Sequence, residues 1–130
     1  SIDVDHVIPW SAVNHDEIWN LVLAHVDCNH QKLAHLPPKP FVEKLIQRNE
    51  IVLQSDLPLK EELKKVLGDS PKKRMEQVWI QYKIGVNKGL TIWGGNDKFD
   101  PSNDDFYKTW ISNRNASFWE RKFDKIPQGN

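Results

Sequence analysis

Hydrophobic and polar positions alternate from the second residue. Ile2-Asp3-Val4-Asp5-His6-Val7-Ile8-Pro9, with β-branched residues at 2, 4 and 7, predicts a short strand ended by Pro9. Trp10 to Glu17 has no period and many polar residues, so it reads as a loop. Trp19-Asn20-Leu21-Val22-Leu23-Ala24 predicts a second strand, pairing with the first as a hairpin with a long connection. A short helix is expected from Asn29 to Leu36, stopped by Pro37-Pro38. Beyond the prolines the period becomes helical. Phe41, Leu45, Ile46 and Leu53 fall near one stripe of a helix from about Pro40 to Leu53. Asp56 and Pro58 begin a short helix with Leu59, Leu63 and Val66. Ser70-Pro71 begins another, which carries Met75, Val78, Trp79, Tyr82 and Val86 and closes at Gly89. Leu90 to Pro101 is turn-rich and reads as an ordered loop. Ser102 and Asp105 form a capping box for a helix bearing Phe106 and Trp110, and a last helix holds Phe118, Trp119 and Phe123. The fold class is therefore α+β: a hairpin and helix over residues 1–38, then a mainly helical extension over 39–130.

Charge sharpens this division. The 130 residues sum to a formal charge of zero, yet residues 1–38 carry five acids and one lysine, against thirteen acids and seventeen basic residues in 39–130. A mildly basic body supports an acidic head that also holds all five histidines and the single cysteine. One cysteine excludes an internal disulfide framework and a four-cysteine zinc site built from this chain alone. No basic-then-apolar leader, bilayer-length apolar run or lipidation signature is visible, so a membrane role is set aside and a reducing, cytoplasmic setting is expected. Strand-like sequence begins at once behind Ser1, which is the expectation for a piece of a parent that extends upstream. The aromatics read first as core, although six tryptophans leave one or two that face a ligand as the other reading.

The Asp5-His6 pair is the first chemical signal. Neighbours on a strand point to opposite faces, so the two cannot hydrogen-bond to each other and must serve different partners. If a hard cation such as Mg2+ binds, it wants oxygen ligands, of which Asp5 can supply one and the Asn29 amide a second. Mg2+ keeps several waters and shares its coordination with phosphate oxygens, so a sparse protein site suits a phosphodiester substrate. His6 is then left as general base on water.

The runs "DHVIP", "NLVL" and "CNHQK" resemble, in type and spacing, the HNH endonucleases, also called ββα-metal nucleases. The resemblance covers about residues 2–50 and implies a ββα-metal core. It implies that His6 is the general base, that Asp5 and Asn29 are metal ligands, and that Asn20 braces the loop holding His6. Lys32 matches the family's lysine at the helix start, with a phosphate contact and a structural role both open. The implied activity is metal-dependent hydrolysis of DNA phosphodiester bonds, with Mg2+, Mn2+ or another divalent cation, leaving 5′-phosphate and 3′-hydroxyl ends. The implied partners are DNA, as duplex or single strand, and a homodimer mate, partner nuclease or upstream sensor for duplex cleavage. The alternatives are a non-catalytic nucleic-acid-binding or interaction module on the same scaffold, or the effector domain of a larger defence or toxin protein.

Two departures from the family pattern matter. His30 directly follows Asn29 and competes with it as ligand, although register favours Asn29. His25-Val26-Asp27-Cys28 is half of a zinc clamp, so structural Zn2+ is not expected unless an upstream segment completes it. His15 and His35 are expected to be solvated. Lys72, Lys73 and Arg74 fall in the first turn of a helix, where positive charge opposes the helix dipole, and read either as DNA phosphate contacts or as a solvated cluster.

Overall fold

The computed structural model describes residues 2–55 and 60–102. Strand β1 (Ile2–His6) pairs antiparallel with β2 (Leu21–His25), with Ile2 opposite His25 and His6 opposite Leu21. Helix α1 (Trp10–Val13) and a 3-10 turn (Ile18–Asn20) lie in the connection between them. Helix α2 (Val26–Lys32) packs on both strands, and α3 (Lys39–Leu53), α4 (Lys60–Leu67) and α5 (Pro71–Asn87) follow. The described part is thus mixed α+β, a two-stranded hairpin followed by helices. The expected start of α4 at Asp56, Pro58 and Leu59, and the helices placed around Phe106 and Trp110 and around Phe118, Trp119 and Phe123, lie outside the described residues. No helix among the described residues is long and apolar enough to cross a membrane.

Several boundaries differ from the sequence expectation, each for a tertiary reason. Trp10–Val13 is helical rather than loop: it packs on α5, and Lys88 Nζ donates to the terminal carbonyls of Ser11 (2.9 Å) and Ala12 (3.1 Å). The second strand starts at Leu21, not Trp19. Arg48 takes the Trp19 and Leu21 carbonyls at 2.9 and 2.8 Å, and Asn49 also donates to Trp19 O at 3.1 Å. Helix α2 starts at Val26 and ends at Lys32, so Asn29 sits within it rather than at its start. Leu36 does not belong to a helix, because its N–H donates to Thr91 O at 2.8 Å and its carbonyl accepts from Trp93 N at 2.7 Å, a bridge that ties down the loop after α5.

One apolar core joins the hairpin to the helices. Val4, Ile8, Trp19, Leu21, Leu36, Val42, Leu45, Leu63, Val78, Tyr82 and Phe99 all belong to it. The buried face of α3 is Val42, Leu45, Arg48, Asn49 and Val52, and that of α5 is Arg74, Val78, Tyr82 and Gly85. Met75 and Val86, expected on the inner stripe of α5, are instead exposed. Phe41, Trp93 and Phe99 form a ring cluster with centroids 5.5 to 5.9 Å apart, which seats the loop expected from its turn-rich sequence.

Candidate functional site

Buried polar side chains concentrate where β1 meets α2 and the connection. Asp5 and His6 are both buried and, as strand neighbours, reach different partners: Asp5 meets Lys32 of α2, His6 meets Asp16 of the connection. Asn20 is fully buried and brackets one residue of the chain leaving β1. Its Oδ1 accepts from Ile8 N at 2.8 Å and its Nδ2 donates to Ile8 O at 2.7 Å, while its own carbonyl accepts from Val7 N at 2.9 Å. Both strand-exit residues behind His6 are thereby held.

The His6 ring hydrogen-bonds through Nε2 to Asp16 Oδ1 at 2.7 Å, whereas its Nδ1 is buried and has no hydrogen-bond partner among the described residues. Burial pushes the His6 imidazole down to about 4 against the opposing pull of Asp16, so the ring is neutral at neutral pH. Lys32 is fully buried, and its ammonium donates to the His6 carbonyl and lies 3.3 Å from Asp5 Oδ2. That approach is a charge contact rather than an aligned hydrogen bond, since Asp5 Oδ2 has no hydrogen-bond partner among the described residues. Burial raises the Asp5 carboxyl above its ordinary value and lowers the Lys32 ammonium, each partly restored by the other. Asp3, two residues before Asp5 and also buried, pushes Asp5 further up.

The implied cation can be tested against this donor set. Asn29 Oδ1 and Asp5 Oδ2 are buried oxygens without hydrogen-bond partners among the described residues, one on α2 and one on β1. Two hard oxygens are the donor type for a cation that keeps water and takes phosphate oxygens for the rest of its shell, and at Asp5 Oδ2 that cation meets the Lys32 ammonium 3.3 Å away as a competitor. Among the described residues no group of three or more His, Cys, Asp or Glu side chains stands ready to hold a metal by itself. His30 is exposed while Asn29 is buried, so the two point to different surroundings. Cys28 is buried against Asn96, at 3.5 to 3.6 Å, while His25 is exposed.

Two expected nucleic-acid contacts are corrected. Lys32 does not reach solvent, because its ammonium is spent on Asp5 and the His6 carbonyl. Arg74 is paired bidentately with Glu50 of α3 at 2.8 Å on both oxygens and donates to Gly68 O at 3.1 Å, so it joins helices. Lys72 and Lys73 are exposed on the first turn of α5. His35 is exposed, as expected, with its ring meeting the Thr91 hydroxyl, whereas His15 is half-buried, accepts from Glu17 N at 3.2 Å and lies against Trp19.

Three polar residues carry structure that the linear pattern does not single out. Asp3 leaves a trace, since a period of two puts it on the face of Asp5. Arg48 leaves one as well, standing on the apolar stripe between Leu45 and Val52. Asp16 leaves none, being ten residues from its partner in an aperiodic stretch. No curated protein and no solved structure was found to match the chain. Residues 1–38 match the family model described as HNH endonuclease, so the segment that carries Asp5, His6, Asn20, Asn29 and Lys32 is similar to the HNH nucleases.

Proposed function

We propose that the chain is a metal-dependent HNH endonuclease that hydrolyses phosphodiester bonds of DNA, with His6 as general base. The observation that carries this reading is a buried, neutral imidazole with one uncommitted nitrogen, next in sequence to a buried carboxylate. A neutral ring is the form that accepts a proton, and Nδ1 is the nitrogen left without a partner among the described residues to accept it; the burial that keeps the ring neutral also lowers its basicity, against the pull of Asp16. Asp5 and Asn29 would hold a divalent cation, Mg2+ or Mn2+, Asn29 through an Oδ1 that has no hydrogen-bond partner among the described residues and Asp5 through an Oδ2 that the cation would share with the Lys32 ammonium 3.3 Å away. When bound, that ion supplies charge stabilisation to the phosphoryl group and the leaving oxygen. Asn20 contributes by fixing Val7 and Ile8, and so the exit of the strand that bears His6. Lys32 compensates the Asp5 charge and anchors the His6 backbone from α2. Lys72 and Lys73 are exposed cations free to meet phosphate, with a salt dependence of about one counterion per contact.

The test is cleavage of supercoiled plasmid DNA by the purified chain with Mg2+ or Mn2+, beside EDTA and His6→Ala controls. Nicking lost in both controls is the expected outcome, with 5′-phosphate and 3′-hydroxyl ends. Nicking by His6→Ala at the wild-type rate would exclude His6 as the base, and ends of the opposite polarity would exclude this mechanism.

A further inference from the structure

His6 has two ring nitrogens, and in the neutral ring one carries a hydrogen while the other carries a lone pair. Nε2 lies 2.7 Å from Asp16 Oδ1, and a carboxylate oxygen accepts hydrogen bonds. The hydrogen therefore sits on Nε2, and the lone pair on Nδ1, the buried nitrogen with no partner among the described residues. The loop that presents Asp16 is itself tied: Glu17 Oε1 accepts from Trp19 Nε1 at 2.8 Å, and Trp19 is part of the core. The two residues beside Asp16 are bonded together as well, Glu17 N donating to His15 Nδ1 at 3.2 Å.

We propose that Asp16 is a positioning residue that locks His6 in the Nε2–H tautomer and so makes Nδ1 the nitrogen that takes the proton from the attacking water. The inference rests on the reading of His6 as general base. In the step it serves, a water O–H bond breaks as Nδ1–H forms, the water oxygen bonds to phosphorus, and the P–O3′ bond breaks. The leaving oxygen takes a proton from solvent, and Nδ1 later returns its own to solvent. Nε2 keeps its hydrogen throughout, and the Asp16 carboxylate stabilises the transient imidazolium. The Asp16 side chain is 43 % exposed, and the bond that its removal takes away is the one to His6 Nε2.

The experiment uses the 15N-labelled full chain as wild type, Asp16→Asn and Asp16→Ala, reading the His6 tautomer from long-range 15N–1H correlations and plasmid nicking with Mg2+ or Mn2+ in parallel. An Asn amide can donate to Nε2, which moves the ring hydrogen to Nδ1 and blocks the base; alanine merely releases the ring. The expected result is an Nε2–H wild type, an Nδ1–H Asp16→Asn variant slower by about 10²–10⁴-fold, and an Asp16→Ala variant between the two. A wild type in the Nδ1–H form, or an Asp16→Asn variant that keeps its tautomer and nicks normally, would overturn the role given to Asp16 and leave the nuclease reading standing. A tautomer that switches as expected in a chain that never nicks DNA would overturn the nuclease reading itself, and the catalytic role of Asp16 with it.

Discussion

At His6 two influences oppose each other: burial disfavours the imidazolium, and the Asp16 carboxylate favours it. Burial wins, which leaves the folded ring near 4 against an ordinary 6.5. Between those values the unfolded chain binds a proton that the folded chain refuses. The stability from this group is therefore complete above pH 6.5, is lost as pH falls toward 4, and changes no further below that. Over the span from pH 7 to pH 5 the loss is about 2 kcal/mol. Urea denaturation of wild type and His6→Gln at both pH values checks it, because Asp5, whose raised carboxyl works in the opposite direction, is common to both proteins. Equal losses in the two proteins would show that His6 titrates normally in the fold.

Helix α5 shows how one residue type carries packing at the level of an element. Gly85 lies inside the helix, where glycine costs about 1 kcal/mol relative to alanine. It stands there because α5 crosses Leu36 and Ala12 closely: a Cβ on Gly85 would meet Leu36 Cδ2 at 2.6 Å and Ala12 Cβ at 3.3 Å. Leu36 is fully buried and its backbone is bonded on both sides to the loop after α5, so it has little room to yield. Gly85→Ala should therefore destabilise by about 1–3 kcal/mol despite its gain in helix propensity, visible as a lowered thermal midpoint. A raised midpoint would mean that propensity outweighs the contact. At the other end of α5, the Ser70 hydroxyl accepts from Lys73 N at 3.2 Å, a cap legible in the Ser70-Pro71 pair because it depends only on neighbours in the chain.

Over the whole molecule the family match ends at residue 38, but the interactions that shape the site do not. Arg48 of α3 is fully buried and donates to the carbonyls of Trp19 and Leu21, the two residues flanking Asn20. The hairpin thus receives its bracing from a helix outside the matched segment. Arg48→Met leaves those carbonyls without their donors, and should cost about 2–4 kcal/mol in denaturation and slow DNA nicking together. Unchanged nicking in a folded Arg48→Met chain would show that Asn20 holds the strand exit unaided. A peptide of residues 1–38 lacks Val42, Leu45, Leu63, Val78, Tyr82 and Phe99 from the common core, and by circular dichroism and NMR it should be unfolded.

What the sequence by itself determined was local. The β-branched alternation from Ile2 made a strand, the Ser70-Pro71 start opened α5, and the type and spacing of "DHVIP", "NLVL" and "CNHQK" placed Asp5, His6, Asn20 and Asn29 in one segment. These features depend on backbone geometry and near neighbours, which a linear pattern records. Tertiary structure decided the pairings that cross the chain. Lys32 turned inward to Asp5, Arg74 joined Glu50, Arg48 cut the second strand back to Leu21, and Asp16 closed on His6. Each of these is a charged side chain whose choice between solvent and an internal partner depends on which backbone or carboxylate the completed core brings within about 3 Å, where the bond offsets desolvation.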